Sequence, residues 1–264
     1  MPHTAFDFRP QRHRPTWRLT VVAAHDVTPR MRRVSLIGEE LGQFRHRPGQ
    51  DLAFSFPTEG GYARRHYTIR RFDPAERRLD IDMVLHGDSP ATRWARGVQL
   101  GDQVMAQGPR GRTYVAGRAD WRLFTGDETA LPAIAAMIEA LPAGERAFAF
   151  VEVAGPQERQ EIPTAAELSL TWLYRDGPPA APSLGLLDAL TTFNLPQGVG
   201  QACVIGETST VRAQRQGLIA RGLPKSQIAV EGYWRPGRIG GHDHIIEADV
   251  LTAFRARREA RAHF

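Results

Sequence analysis

A six-stranded antiparallel β-barrel followed by a doubly wound parallel sheet is the fold class that this sequence predicts. Over the first 118 residues, short alternating runs recur with Gly, Pro or Asp in the gaps, and one helical segment interrupts them. From about Trp121, strand-like runs alternate with helical ones, the pattern of a parallel sheet covered on both faces. The chain's 264 residues suffice for two modest domains. The predicted division is a barrel domain over 14–118 and an α/β domain over 119–264, with the boundary near Gly117 to Asp120.

The barrel strands are read from "TWRLTVVAAHDVT", "MRRVSLIG", "QDLAFSFP", "RRHYTIRRFD", "RRLDIDMVLH" and "DQVMAQGPRG". The helical insertion is "SPATRWARGV", with Ser89 as candidate N-cap and Pro90 as first helical residue. In the second half, "WRLFTGDE" is an apolar strand ending in a Gly turn, and "TALPAIAAMIEAL" follows at helical spacing. "RAFAFVEVAG" and "LSLTWLYRDG" read as strands, "SLGLLDALTTF" as a helix and "QACVIGE" as a strand. "TSTVRAQRQGLIARG" reads as a helix, "QIAVEGYWRPG" as a final strand and "EADVLTAFRARREARAHF" as a terminal helix. Open parallel sheets bind ligands at the carboxyl ends of their strands. With a barrel against that edge, one cofactor can lie on the barrel and a second on the sheet.

Composition narrows the function classes. The net charge is +5, arginine supplies nearly all of it, and Lys225 is the single lysine. The arginines are interspersed with acids and no basic helix carries interleaved aromatics, so no nucleic-acid partner is expected. Local arginines fit a phosphate-bearing small ligand better. One cysteine, Cys203, excludes an internal disulfide and a cysteine zinc site; it lies in an apolar strand and reads as core. No run has the apolar length of a signal peptide or membrane helix, so a cytoplasmic protein with no membrane partner is expected, as a monomer. "His242-Asp243-His244" has no partner cluster and reads as polar loop, so no metal is expected.

Four segments carry candidate chemistry. "Arg65-His66-Tyr67-Thr68" puts Arg65, Tyr67 and Ile69 on one strand face and His66 and Thr68 on the other. A flat heteroaromatic cofactor with a pyrophosphate needs a hydroxyl at the ring edge, an aromatic neighbour and a guanidinium, which grips phosphate bidentately. Alone, the string fits a solvated strand equally well. His86 closes a strand before a Gly turn, and Ser89, Pro90, Ala91 and Thr92 start the helix with small residues, where free N–H groups can meet phosphate. Gly126, Asp127, Glu128 and Thr129 form a strand–turn–helix junction with one glycine, which is neither a GxGxxG fingerprint nor a P-loop and is compatible with a purely structural turn. Tyr233, Trp234, Arg235 and Arg238 end the last strand, either covering a flat ring or closing the sheet edge.

Together, "RPGQDLAFSFP", "RRHYTIRRFD", "DIDMVLHGDSPATRWA", "GDQVMAQGPRG", "GDETALPAIAAMIEALP", "TWLYRDG" and "GYWRPGR" resemble the siderophore-interacting protein family, flavin-dependent ferric-siderophore reductases of the ferredoxin-reductase superfamily. The resemblance covers nearly the whole chain. It implies a barrel that binds FAD and an α/β domain of the nicotinamide-binding type. Carried over, Arg65 holds the FAD diphosphate, Tyr67 packs on the isoalloxazine and Thr68 hydrogen-bonds near its N5, making Tyr67 and Thr68 the candidate catalytic pair. His66 belongs to the same cofactor strand. His86 and the Ser89–Thr92 helix start take the ribityl and pyrophosphate end. Tyr233 and Trp234 lie near the far flavin face, Gly126 to Thr129 line the nicotinamide path, and Arg175 meets a cofactor phosphate. Arg235 and Arg238 supply charge toward the substrate.

The implied reaction takes a hydride from NADPH or NADH and passes single electrons to a ferric siderophore, with ferredoxin as an alternative donor and a flavin-free binding module as an alternative role. One departure from the family pattern matters. Asp51 and Ala53 stand where a His and a Lys are expected, which leaves the flavin reading intact and weakens the siderophore reading. After "FVEVAG", Arg159 and Arg175 favour a 2′-phosphate while Glu152 and Glu158 oppose it, with NADPH slightly ahead.

Overall fold

The computed structural model describes residues 14–111, 117–175 and 182–237. The expected terminal helix over 247–264, the His242–His244 loop and Arg238 lie outside the described residues.

Seven strands, one more than expected, build the first sheet: β1 (Thr16–Thr28), β2 (Met31–Ile37), β3 (Asp51–Thr58), β4 (Gly61–Thr68), β5 (Arg71–Asp73), β6 (Arg78–Val84) and β7 (Gln103–Arg110). Their order is β4-β3-β7-β1-β2-β6-β5, and the paired neighbours run antiparallel. The extra strand arises because "RRHYTIRRFD" is not one strand. It breaks at Ile69 and Arg70. The Ile69 N–H donates to the Gln50 carbonyl at 2.9 Å and the Arg70 N–H to the Asp80 carbonyl at 2.9 Å. Successive amides thus bond to opposite ends of the sheet, and the chain crosses from the β3 side to the β6 side, curling the sheet into a barrel. Leu19, Leu36, Leu52, Phe54, Phe56, Leu79 and Ile81 fill its interior. The helix α1 (Pro90–Gly97), capped by Ser89 as expected, plugs one end with Ala91 and Ala95.

The second sheet comprises β8 (Trp121–Asp127), β9 (Arg146–Val153), β10 (Glu167–Tyr174), β11 (Gly200–Glu207) and β12 (Ile228–Trp234). All pairs are parallel, in the order β10-β9-β8-β11-β12. Every residue of central β8 is buried, as a strand covered on both faces requires. Helix α2 (Leu131–Glu139) covers one face, and α3 (Leu184–Thr192) and α4 (Thr208–Ala220) cover the other. Cys203 is buried in β11, as expected of a core residue, and burial pushes its thiol up to about 12.

The two sheets share a core. Met31 and Val84 of the barrel join the apolar cluster of α2, each burial worth about 1.5–3 kcal/mol. Ionic contacts reinforce the junction. Arg70 forks onto Glu139 of α2 at 2.7 and 2.5 Å and lies 3.6 Å from Asp82. Glu158 of the second domain accepts from the Thr28 hydroxyl at 2.5 Å and the Arg30 N–H at 3.2 Å.

Candidate flavin and nicotinamide site

The β3–β4 register sets the barrel half of the site. Phe54 faces Arg65, Leu52 faces Tyr67, Ala53 faces His66 and Asp51 faces Thr68. Leu52, Phe54 and Phe56 point into the core, so Arg65 and Tyr67 lie on that same face of the sheet. The alternation read from the sequence is therefore present. Tyr67 stands edge-on to Phe54 and Phe56, with centroids 6.2 and 5.8 Å away, and stays half-buried. Burial raises its phenol pKa, against a small opposing pull from Arg65. Arg65 is half-buried and donates to the Arg64 carbonyl at 2.8 Å. No carboxylate among the described residues pairs with it.

Helix α1 packs on β3, β4 and β6. At its start the Thr92 N–H donates to Ser89 Oγ at 3.1 Å, and the Thr92 hydroxyl donates to the His86 carbonyl at 3.0 Å. Gly87, at φ +57°, supplies the left-handed turn that folds the strand end back onto the helix. His86 is exposed, and Ala91 and Thr92 are buried. The structure thus brings His86, Ser89, Pro90, Ala91 and Thr92 together beside the strand of Arg65 and Tyr67.

On the other face of β4, a network missed in the sequence reading ties the barrel to the second domain. His66 Nδ1 and Asp51 Oδ1 are 3.0 Å apart, Arg110 Nε lies 3.1 Å from the same oxygen, and Arg110 Nη1 lies 3.0 Å from His66 Nε2. A guanidinium only donates, so in this arrangement His66 Nε2 is placed to accept from Arg110 while Nδ1 faces Asp51. Arg110 Nη2 reaches toward Glu231 of β12, 3.9 Å away. The unexpected Asp51 is thus buried and paired. Next to it, Tyr233 turns its hydroxyl toward Thr68, and that buried oxygen has no hydrogen-bond partner. Burial and then the charge of Glu231 raise its pKa.

The carboxyl edge of the parallel sheet is rich in acids. Asp127 is buried and accepts from the Thr129 N–H (2.9 Å) and hydroxyl (2.5 Å), the Glu207 N–H (2.8 Å) and the Trp234 indole N–H (2.9 Å). Trp234 is therefore held by Asp127. Burial, then Glu128, holds the Asp127 carboxyl above its usual range. Gly126 is required by packing, since a Cβ there would lie 2.6 Å from both the Ile205 carbonyl and Ala130 Cβ. Arg175 forks onto Glu128 at 2.5 and 2.6 Å and reaches Glu152 at 3.3 Å, so its charge is already met. Glu152 also accepts from the Ser183 hydroxyl, and burial raises its pKa. Glu207 caps α4, accepting from the Ser209 and Thr210 N–H groups at 2.9 and 2.8 Å. A small cleft, with room for little more than a water molecule, is lined by Asp127, Glu152, Arg175, Glu207 and Trp234. Arg235 is half-buried just beyond, and engaged with a neighbour.

Residues 119–237 match the family model described as "Siderophore-interacting protein", and residues 47–113 match "Siderophore-interacting FAD-binding domain". A siderophore utilization protein from T. fusca has a TM-score of 0.81 at 35% identity, covering 87% of this chain and 96% of that one. The chain belongs to the siderophore-interacting protein family. The siderophore-interacting protein SipS from Aeromonas hydrophila has a TM-score of 0.71 at 30% identity, covering 84% and 99%. Ferric vibriobactin reductase ViuB from Vibrio cholerae is 33% identical over 180 residues, 66% of this chain and 65% of that protein. Matches to Mycobacterium tuberculosis relatives likewise span 65% of their length. The barrel-plus-parallel-sheet architecture expected from the sequence is thus a siderophore-interacting fold, and no helix among the described residues is long and apolar enough to cross a membrane.

Proposed function

We propose that the protein is an FAD-dependent reductase of ferric siderophores that draws electrons from NADPH or NADH. The observation that carries this reading is the pairing of Arg65, a guanidinium that meets no carboxylate among the described residues, with the half-open ring of Tyr67 on one strand face. The residues present fit FAD. Arg65 and the Ser89-capped start of α1 suit a diphosphate, Tyr67 offers an aromatic face, and the unpartnered Tyr233 hydroxyl beside Thr68 needs a polar group to bond.

When bound, FAD supplies the conversion of a two-electron hydride into single electrons for Fe(III). The chain's residues bind, orient and shield. Arg65 would neutralise phosphate charge, and Tyr67, braced edge-on by Phe54 and Phe56, would offer its ring to the flavin. Thr68, buried at the end of β4, would offer its hydroxyl to the ring edge. Tyr233 stays a neutral donor, because its raised pKa keeps the proton on its oxygen. Arg110 and His66 hold Asp51, so that side of β4 carries a compensated charge. That compensation favours docking of a neutral or weakly charged iron chelate, with Arg235 beside it. Fe(II) then leaves hard oxygen ligands more readily than Fe(III).

A second reading has ferredoxin as donor. It is favoured by the acids at the sheet edge, where Asp127, Glu152 and Glu207 occupy positions a dinucleotide pyrophosphate would use. Anaerobic absorption spectra separate the readings. The purified protein is expected to be yellow, to bleach with NADPH or NADH, and to regain colour on adding a ferric siderophore. A protein bleached only by reduced ferredoxin supports the second reading, and a colourless protein that no FAD restores overturns both.

A further inference from the structure

The carboxyl end of β9 is the place where a doubly wound sheet meets the adenosine ribose of a dinucleotide, through an acid for a free 2′-hydroxyl or an arginine for a 2′-phosphate. Two acids and two arginines stand there, and the folded chain disposes of three of them. Glu152 accepts from Ser183 and lies 3.3 Å from Arg175. Glu158 is buried against Thr28 and the Arg30 N–H of the barrel, 2.5 and 3.2 Å away. Arg175 is forked by Glu128. Arg159 remains. It is exposed, pairs with no carboxylate among the described residues, and lies over the Tyr174 ring, 5.2 Å from its centroid, with Nε bonded to the Tyr174 hydroxyl. Its backbone is pinned as well, the Arg159 N–H donating to the Pro156 carbonyl at 3.2 Å.

We infer that Arg159, stacked on Tyr174, is the site for the adenosine 2′-phosphate of NADPH. The inference rests on the nicotinamide-donor reading above and sharpens it. A guanidinium laid on an aromatic ring is pre-oriented, so little rotamer freedom is lost when its outer N–H groups grip a phosphate. The dianionic phosphate gains there what the acid-filled helix starts deny to the pyrophosphate. The dinucleotide is therefore anchored at its adenosine end, and NADH, lacking that anchor, binds weakly. Glu152 is engaged by Ser183 and Arg175, and Glu158 is buried against the barrel, which leaves Arg159 as the exposed group at this edge.

The test is calorimetric titration of the FAD-loaded protein with 2′,5′-ADP and with 5′-ADP. The wild type is expected to bind 2′,5′-ADP at least about tenfold more tightly, the scale of one charge-assisted hydrogen bond. Arg159→Ala is expected to erase that preference, Arg159→Lys to keep part of it, and Arg159→Ala to raise KM for NADPH with kcat and the NADH parameters unchanged. Arg159 is exposed, so the variants are expected to keep their FAD and melting temperature. Equal binding of the two nucleotides by the wild type, or an Arg159→Ala variant that keeps the preference, overturns the site. Those results leave the reductase intact if either nicotinamide still bleaches the flavin. Conversely, a 2′,5′-ADP preference lost in Arg159→Ala upholds the site even if NADPH fails to bleach the flavin, a failure that would count against the donor.

Discussion

Arg65 carries an uncompensated charge on a half-buried position, and Tyr233 buries an unpartnered hydroxyl. In the proposed reading both serve the bound flavin. Arg65→Ala is expected to weaken FAD binding by about tenfold or more, with Arg65→Lys in between, because a lysine loses the bidentate grip. The ratio of flavin to protein absorbance after purification, and a titration of FAD into the stripped protein, measure this. Tyr233→Phe makes the opposite kind of prediction. In FAD-free protein its stability should be unchanged or higher by up to about 1 kcal/mol, since only an unbonded hydroxyl is removed. Urea midpoints check this, and a clear loss would mean the hydroxyl already has a partner. At this scale the sequence named Arg65, Tyr67, Thr68 and Tyr233, but it could not show that Arg175 is spent on Glu128. A pairing across 47 residues leaves no local trace.

The strand–turn–helix junctions at the sheet edge show a consistent device. The turn after β8 is bonded by Asp127 and the start of α4 by Glu207, while Glu152 holds the capping Ser183 of α3. The chain's own carboxylates satisfy the orphan donors of these turns. Asp127 is buried, and its carboxyl sits above the ordinary 3.8. The folded state thus holds that proton more tightly than the unfolded chain does. By linkage, the group's contribution to stability is fully present below the unfolded value and is lost as pH rises through the raised folded one. Asp127→Asn, which does not titrate, should therefore improve relative to wild type as pH rises from about 4 to about 7. Paired denaturant titrations across that range test it, and a difference that is flat or reversed would refute it. Element existence was legible throughout the described residues, because apolar periodicity of two or near four marks strands and helices. The break at Ile69 and Arg70 was not, since alternation runs unbroken across it while the amides change partners.

The two domains meet through Met31 and Val84 in the core of α2 and through the Arg70–Glu139 fork. Both contacts lie far apart in sequence, so they act on the junction and not on either domain alone. Arg70→Ala and Glu139→Ala should each destabilise the protein by about 1–2 kcal/mol, with a coupling in the double mutant of similar size. If the coupling is near zero, the fork is a passive surface pair. Loss of the fork is also expected to slow flavin reduction without lowering FAD content, because it aligns the sheet edge with the barrel. Stopped-flow bleaching of the two proteins compares this directly.

The sequence by itself determined the order of strands and helices, the capped start of α1, the two faces of β4 and the family. These are local facts, written in periodicity, capping residues and short motifs. Only the tertiary structure decided which charges remain available. Asp51, an apparent misfit, is paired with Arg110 and held by His66, and Arg175 is paired with Glu128. Arg65 and Arg159 stay open. The physical reason is that a charge is defined by its partners, and in this chain the partners come from strands that meet only when barrel and sheet have closed on each other.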